Sequence, residues 1–218
     1  MTTLLEASEL EKRAVGEAAA ALVEDGMTLG LGTGSTVAYF LPAVASRGLA
    51  VRCVATSTRT EEAARRHGLD VQPFDELERL DLAVDGADQV APSGWLVKGG
   101  GGAHTREKIV AAAADRFVVI VSSEKLVTSL APPVPLELLP FGVAATLAAL
   151  EPARVRSALP SPDGGLIADY LGPVDDPAAL AARLAGTSGV VEHGLFPPEL
   201  VGEILVAHGD RIERRNMS

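Results

Sequence analysis

Apolar residues near the start of the chain recur at the spacing of one helix face. The positions concerned are Leu10, Ala14, Ala18 and Leu22. Ser8 and Glu11 are spaced like a capping box ahead of this stripe, and Gly26 can end the helix. The pattern therefore predicts an N-terminal amphipathic helix.

Short apolar runs then alternate with helical segments up to about residue 125. The runs are MTLGLG, VRCVATS, LDLAVDGAD and RFVVIVSS. Helices are predicted over about 35–46, in TRTEEAARRHG, and over about 105–114. Near-continuous apolar runs are typical of parallel strands buried on both faces. The alternation predicts an α/β fold with a Rossmann-like, doubly wound parallel sheet.

The pattern changes in the second half of the chain. APPVPLELLP is proline-rich and extended, and LIADYL, PAALAARLAG and VVEHGLF predict a strand, a helix and a strand. EILVAHGDRIERR predicts two strands joined near His208 to Asp210. We therefore predict a Rossmann-like catalytic domain made of residues 1–130 and 201–218, and a smaller α+β domain made of residues 131–200.

Charge and cysteine content narrow the class of protein. The 218 residues carry a net charge of −10, which makes nucleic acid and anionic membranes poor partners. The single cysteine, Cys53, fits a reducing compartment. No apolar run approaches the roughly 18 residues of a membrane span, and the N-terminus lacks the pattern of a signal peptide. These features predict a cytoplasmic protein.

The first candidate site is the glycine-rich loop GLGTGST, residues 30–36. Backbone amides in such a loop, the hydroxyls of Ser35 and Thr36, and the next helix N-terminus favour a phosphate. A dinucleotide site is disfavoured because Ser35 replaces the third glycine and VRCVATS ends without an acidic residue. A tight turn without a ligand remains the alternative.

Two carboxylates form the second candidate, in DGADQ. Asp85 and Asp88 flank a Gly-Ala turn at the exit of an apolar strand. They are suited to acid–base work, to binding hydroxyls or to holding a metal. Asp-Gly is also ordinary turn chemistry, and Asp88 could simply cap a helix.

The third candidate is the stretch KGGGGAHTREK. It combines the cation Lys98, the glycines 99–102 and the carboxylate Glu107 in the first turn of a predicted helix. Glu107 could also have only the role of an acidic residue that stabilises a helix N-terminus. The four glycines weaken this alternative, because glycine costs backbone entropy that a loop without a function would avoid. Lys125 after the last strand could reach an anion at the same edge. No pair of histidines has the spacing of a zinc site, and no cysteine supports one.

In this order the motifs GLGTGSTV, DGAD, KGGGGAHTREKI, PVPLELLP and VVEHGLF resemble ribose-5-phosphate isomerase of the A type. The resemblance implies interconversion of ribose 5-phosphate and ribulose 5-phosphate without metal or organic cofactor, in a family whose members commonly form dimers or tetramers. It implies Glu107 as general base, with Lys98 and Asp85 assisting at the sugar oxygens. It also implies a substrate site of Thr33, Gly34, Ser35, Thr36, Asp85, Gly86, Ala87, Asp88, Lys98, Gly99, Gly100, Gly101 and Lys125.

Some positions depart from the family pattern, and two other functions remain open. Gln89 replaces a glutamate, Gly102 an alanine, and His104 a small or aliphatic residue. A coenzyme A transferase and a non-enzymatic sugar-phosphate sensor are the alternatives. The sequence leaves the pKa of Glu107 undecided, because the helix N-terminus lowers it whereas enclosure raises it.

Overall fold

The computed structural model describes residues 4–75 and 77–217. Its helices are α1 Leu4–Ala20, α2 Val37–Ala45, α3 Thr58–Arg66, α4 His104–Ala113, α5 Val143–Ala149 and α6 Pro177–Ala185. Its strands are β1 Thr28–Leu31, β2 Arg52–Ala55, β3 Asp70–Val71, β4 Leu82–Asp85, β5 Gln89–Val90, β6 Leu96–Val97, β7 Phe117–Ser122, β8 Val134–Leu138, β9 Ala153–Val155, β10 Leu166–Tyr170, β11 Val190–His193, β12 Leu195–Phe196, β13 Glu203–His208 and β14 Arg211–Asn216.

The main sheet has seven strands in the order β14-β13-β7-β4-β1-β2-β3. All neighbours pair in parallel except β13 and β14, which form an antiparallel hairpin. Strands β1, β4 and β7 are buried along their whole length, as their apolar sequences require. The predicted α/β class with a parallel sheet is therefore confirmed.

Helices cover both faces of this sheet. Side chains of α1 and α2 pack on one face in a cluster that includes Val15, Phe40 and Leu205. Val110 and Ala111 of α4 pack on the other face against Val119. Helix α4 is thereby held across the sheet, and its N-terminus lies at the edge where parallel strands end.

The N-terminal helix differs from its predicted bounds. It begins at Leu4 and ends at Ala20, so Ser8 and Glu11 lie inside it and Gly26 lies beyond it. Ser8 Oγ donates to Glu124, and Glu11 accepts hydrogen bonds from the amides of Ser123 and Gly209. The capping-box prediction is wrong because these side chains serve contacts distant in sequence, which spacing alone cannot reveal.

A second, antiparallel sheet has the order β11-β8-β10-β9 and carries α5 and α6. The predicted strand, helix and strand of this region are present, together with β9, which the sequence pattern did not indicate. A third sheet, β12-β6-β5, joins segments from both halves of the chain. The domain boundaries at residues 130 and 201 stay a prediction. In residues 4–75 and 77–217, no helix combines the length and apolar character needed to cross a membrane.

Candidate active site

The loops that follow β1, β4 and β6 meet at one edge of the main sheet, together with the first turn of α4. They enclose a cavity of about 180 Å³. Its lining consists of Thr33, Gly34, Ser35, Thr36, Arg59, Gly86, Ala87, Asp88, Lys98, Gly99, Gly100, Gly101, Glu107 and Lys125. Every predicted site residue except Asp85 lines this cavity, which places them at the sheet edge expected of ligand sites in α/β folds.

Asp85 lies behind the cavity wall, at the end of β4. Its Oδ1 accepts hydrogen bonds from the amides of Thr33, at 3.1 Å, and Gly86, at 2.7 Å. Its Oδ2 accepts a hydrogen bond from Lys98 Nζ at 2.8 Å. Gly32 must be glycine here, since a Cβ would lie 2.0 Å from the Asp85 carboxylate. Asp85 therefore joins the phosphate loop to the lysine.

Lys98 is the central charge of the site. Besides Asp85, its Nζ contacts the Gly86 carbonyl at 2.5 Å and Oε2 of Glu107 at 3.1 Å. Burial alone would lower the pKa of Lys98, but the two carboxylates raise it above its usual value. The lysine side chain is only 2% exposed and stays charged, so it supplies a fixed positive charge in a dry environment.

Glu107 projects from the first turn of α4, and its side chain is 3% exposed. Although Lys98 is near, no group of the described chain offers Oε2 a hydrogen bond of good geometry. Burial, and then the charge of Asp85, raise the pKa of Glu107 to about 8. Burial likewise raises the pKa of Asp85, although Lys98 and two amides oppose the shift. The net direction is upward, so Glu107 is a more basic carboxylate than usual, with Lys98 Nζ 3.1 Å from its Oε2.

The phosphate-loop candidate is anchored from the neighbouring strand. Thr33 Oγ1 lies 2.8 Å from the hydroxyls of Thr56 and Ser57, and 3.1 Å from that of Thr60. These partners follow β2 or begin α3. Helix α2 starts just after the loop and directs its N-terminal amides toward the same edge. The loop is therefore fixed before any ligand arrives.

The glycine run after Lys98 forms the opposite wall. Gly99 has φ of +99°, and a Cβ there would lie 2.6 Å from Nδ1 of the buried His104. The Gly100 amide donates to Asp88 Oδ2 at 2.8 Å. Asp88 therefore links the DGAD turn to the glycine loop. None of the roles that the sequence suggested for Asp88 included this contact.

Arg59 is the cavity residue that the sequence analysis missed. It lies in the first turn of α3 and is exposed, and it lines the cavity beside the phosphate loop. Lys125 ends a 3₁₀ turn, Ser123–Lys125, with its Nζ 3.7 Å from Glu124. Arg59 reaches the cavity because α3 follows β2, which lies beside β1, and that strand order could not be predicted from the sequence. The edge of the cavity thus has two solvent-accessible cations.

Within the described ranges, no group of three or more histidine, cysteine, aspartate and glutamate side chains is arranged to hold a metal ion. Asp85 and Asp88 instead accept hydrogen bonds from Lys98 and from backbone amides. The charge opposite these carboxylates is supplied by the protein itself.

Fold and site together define an enzyme-like cleft with a basic carboxylate at one end and an anion loop at the other. The family model for ribose 5-phosphate isomerase A (phosphoriboisomerase A) matches residues 52–211. Ribose-5-phosphate isomerase A of Caulobacter vibrioides is 46% identical over 94% of this chain and 96% of its own length. The chain belongs to the ribose 5-phosphate isomerase A family, as the sequence motifs indicated.

Solved structures agree with this assignment. The ribose 5-phosphate isomerase A of Neisseria gonorrhoeae superposes with a TM-score of 0.92 at 29% identity, covering 100% of this chain and 99% of that one. A D-ribose-5-phosphate isomerase in complex with phospho-erythronic acid superposes with a TM-score of 0.88 at 32% identity, covering 94% of this chain and 97% of that one.

Proposed function

We propose that this chain interconverts ribose 5-phosphate and ribulose 5-phosphate by moving a proton between C2 and C1. The observation that carries the proposal is the buried cluster of Glu107, Lys98 and Asp85 at the inner wall of a cleft lined by the phosphate loop. Such a cleft suits a short chain with a reacting carbonyl at one end and a phosphate at the other. Family membership supports the same reaction.

Glu107 acts as the single base and acid of the reaction. Its carboxylate removes the proton from C2 of the open aldose, the C1–C2 double bond forms, and negative charge collects on O1. Glu107 then returns its proton to C1, while the hydroxyl proton of O2 passes to O1 and leaves a ketone at C2. A pKa raised to about 8 makes Glu107 a stronger base than an ordinary carboxylate.

Lys98 stabilises the charge that develops on oxygen. A buried ammonium group fixed by Asp85 needs no reorientation during the reaction, which is the basis of electrostatic preorganisation. Asp85 acts through Lys98, which it holds in place. Backbone amides of the glycine run 99–101 line the same cavity and add donors.

The phosphate is bound at the other end, by residues 33–36, Lys125 and Arg59. The loop offers backbone amides and hydroxyls, and the two cations lie at its side. The phosphate is remote from the reacting carbons. Its binding energy therefore orients the carbons against Glu107 rather than acting on them directly.

A coupled assay with ribose 5-phosphate, run with and without EDTA, tests the proposed reaction. Turnover in EDTA, with deuterium from solvent entering C1 of ribulose 5-phosphate, is the expected result. Binding of the sugar phosphate without turnover would favour a sensor, and acyl exchange would favour a transferase. Loss of turnover in EDTA with recovery on adding a divalent ion would overturn the metal-free mechanism.

We also propose that the chain works as a homodimer in the cytoplasm, with no nucleic-acid or membrane partner. The family resemblance supports the dimer, and the single, buried Cys53 is consistent with a reducing compartment. Sedimentation equilibrium measures the first point, and cell fractionation measures the second. A monomeric active enzyme would contradict the dimer without affecting the proposed chemistry.

A further inference from the structure

Arg156 reaches the active-site glycine run from the second sheet. It follows β9 directly, and its amide donates to the Ile167 carbonyl of β10 at 2.8 Å. Its side chain is 20% exposed, so most of it is enclosed between this sheet and the cleft. No step of the proposed chemistry uses Arg156, although it contacts the wall of the cavity.

The guanidinium group of Arg156 is engaged on two sides. Nε and Nη2 donate to the two carboxylate oxygens of Asp169, at 2.7 and 2.6 Å. Nη1 donates to the carbonyls of Gly99, at 3.3 Å, and Gly100, at 3.0 Å. Asp169 lies on β10 between β8 and β9, so the arginine is oriented by an interior strand of the sheet.

Because Arg156 holds these two carbonyls, the N–H groups of the same two peptide units are fixed as well. In a trans peptide the N–H points opposite to the C=O of the same unit. The Gly99 carbonyl shares its peptide with the Gly100 amide, which donates to Asp88. The Gly100 carbonyl shares its peptide with the Gly101 amide, which has no acceptor in the described part of the chain. Gly101 itself lines the cavity.

Four glycine positions in a row need such external support. Glycine has the greatest backbone freedom of any residue, and donors that stabilise a transition state must be fixed in advance. The link between β11 and β12 supplies one further tie, since the Gly194 carbonyl accepts from the Lys98 amide at 2.8 Å. The Gly99 carbonyl also accepts from the Gly102 amide at 3.0 Å, whereas Arg156 is the partner of the Gly100 carbonyl among the described residues.

The geometry points to Arg156 as a positioning residue that fixes the backbone of the glycine run 99–101 along the cavity wall before a substrate binds. This inference rests on the proposed isomerase function and adds a specific group to it. Arg156 touches no reacting atom. It transmits the rigidity of the second sheet to the glycine run, so that the antiparallel sheet takes part in catalysis.

Arg156→Gln tests the inference. We expect kcat for ribose 5-phosphate to fall about 10²-fold, the loss typical of a misplaced or missing oxyanion donor. Inhibition by inorganic phosphate, which needs only the far end of the cleft, should stay unchanged. Amide hydrogen exchange in residues 99–103 should become faster, a readout that is independent of turnover.

Companion variants separate positioning from charge and from folding. Arg156→Lys keeps the charge but lacks the planar fork, so it should behave like the glutamine variant. Asp169→Asn should also lower kcat, and the double variant should lose less than the product of the two single losses. Arg154→Gln, a change at an exposed arginine on β9, should retain the wild-type rate. If Arg156→Gln does not fold, the kcat of Asp169→Asn tests the inference instead.

Two outcomes would overturn the inference. One is a folded Arg156→Gln enzyme with wild-type kcat, and the other is full activity in Arg156→Lys. If Arg156→Gln weakens inhibition by phosphate more than it lowers kcat, Arg156 acts in binding rather than in positioning, and the inference is likewise wrong. If the wild-type protein itself fails to convert ribose 5-phosphate, the proposed function fails first, which is a distinguishable result.

Discussion

The two ends of the cleft use charge in opposite ways. At the proposed reacting end, the side chains of Lys98, Asp85 and Glu107 are 2–4% exposed, and Lys98 contacts both carboxylates. At the phosphate end, Arg59 is exposed and Lys125 retains 38% of its side-chain exposure. Burial shifts the pKa values of the first group, whereas the second group is accessible to solvent and is proposed to attract and hold an anion.

Substitution of Glu107 is the strongest test of the buried end. Glu107→Gln keeps the shape and removes the proton acceptor, so kcat should fall at least about 10²–10⁴-fold with little change in affinity. Glu107→Asp moves the carboxylate back by one methylene and should retain intermediate activity. Steady-state kinetics on both variants, ordered against the wild type, measure this. Near-normal kcat in a folded Glu107→Gln enzyme would remove Glu107 from the mechanism.

The same variant separates catalysis from helix capping through stability. The folded-state pKa of Glu107 is raised from 4.5 to about 8, so the carboxyl is easier to ionise in the unfolded chain. The free energy of unfolding therefore decreases as the pH rises through that interval. Glu107→Gln should therefore melt higher than the wild type at pH 8, by roughly 2–4 °C for each 1 kcal/mol. Near pH 4.5 the two should melt alike. A capping carboxylate predicts the reverse, with the variant less stable at pH 8.

The pH dependence of catalysis is the second test. Because the base form of Glu107 is required, kcat/KM should decline below a pH of about 8, tenfold for each pH unit. Lys98 remains charged across this range. Asp85→Asn removes the second contribution to the raised pKa, so its profile should move to lower pH. An unchanged profile in that variant would show that Asp85 does not act on Glu107.

The sequence predicted most of the residues that line the cleft, but it did not predict Arg59. Glycine-rich loops after apolar strands mark the places where parallel strands end, so residues 33–36, 85–88 and 98–101 could be assigned together. Arg59 could not, since it is followed by Glu61, Glu62, Arg65 and Arg66 and resembles part of a solvated helix face. Only the strand order, with β2 beside β1, brings it to the cleft.

Other features depend on contacts that no local pattern encodes. The pKa direction of Glu107 follows from its burial and from its distance to Asp85, which lies 22 positions away in sequence. Arg156 reaches the glycine run because β9 pairs with β10, and no local pattern of residues predicted β9. Ser8 and Glu11 fit a helix cap by spacing but bind segments more than a hundred residues distant.

The hydrated end should show the smallest effects, and these concern binding. Lys125→Ala should raise KM for ribose 5-phosphate several-fold, since an exposed ion pair contributes about 0.2–1 kcal/mol, with more lost if the phosphate is partly enclosed. Arg59→Gln should act in the same direction and add to it. Both losses should shrink as the salt concentration rises, because exposed charges are screened over about 8–10 Å at physiological ionic strength.

Arg66→Gln, a change of equal charge on the same helix outside the cavity, is the matched control and should leave KM as it is. Wild-type kcat/KM in the Lys125 variant at low salt would show that this lysine is an ordinary surface residue. A fall in kcat that accompanies the rise in KM would show that binding energy at the phosphate end also orients the reacting carbons, as proposed.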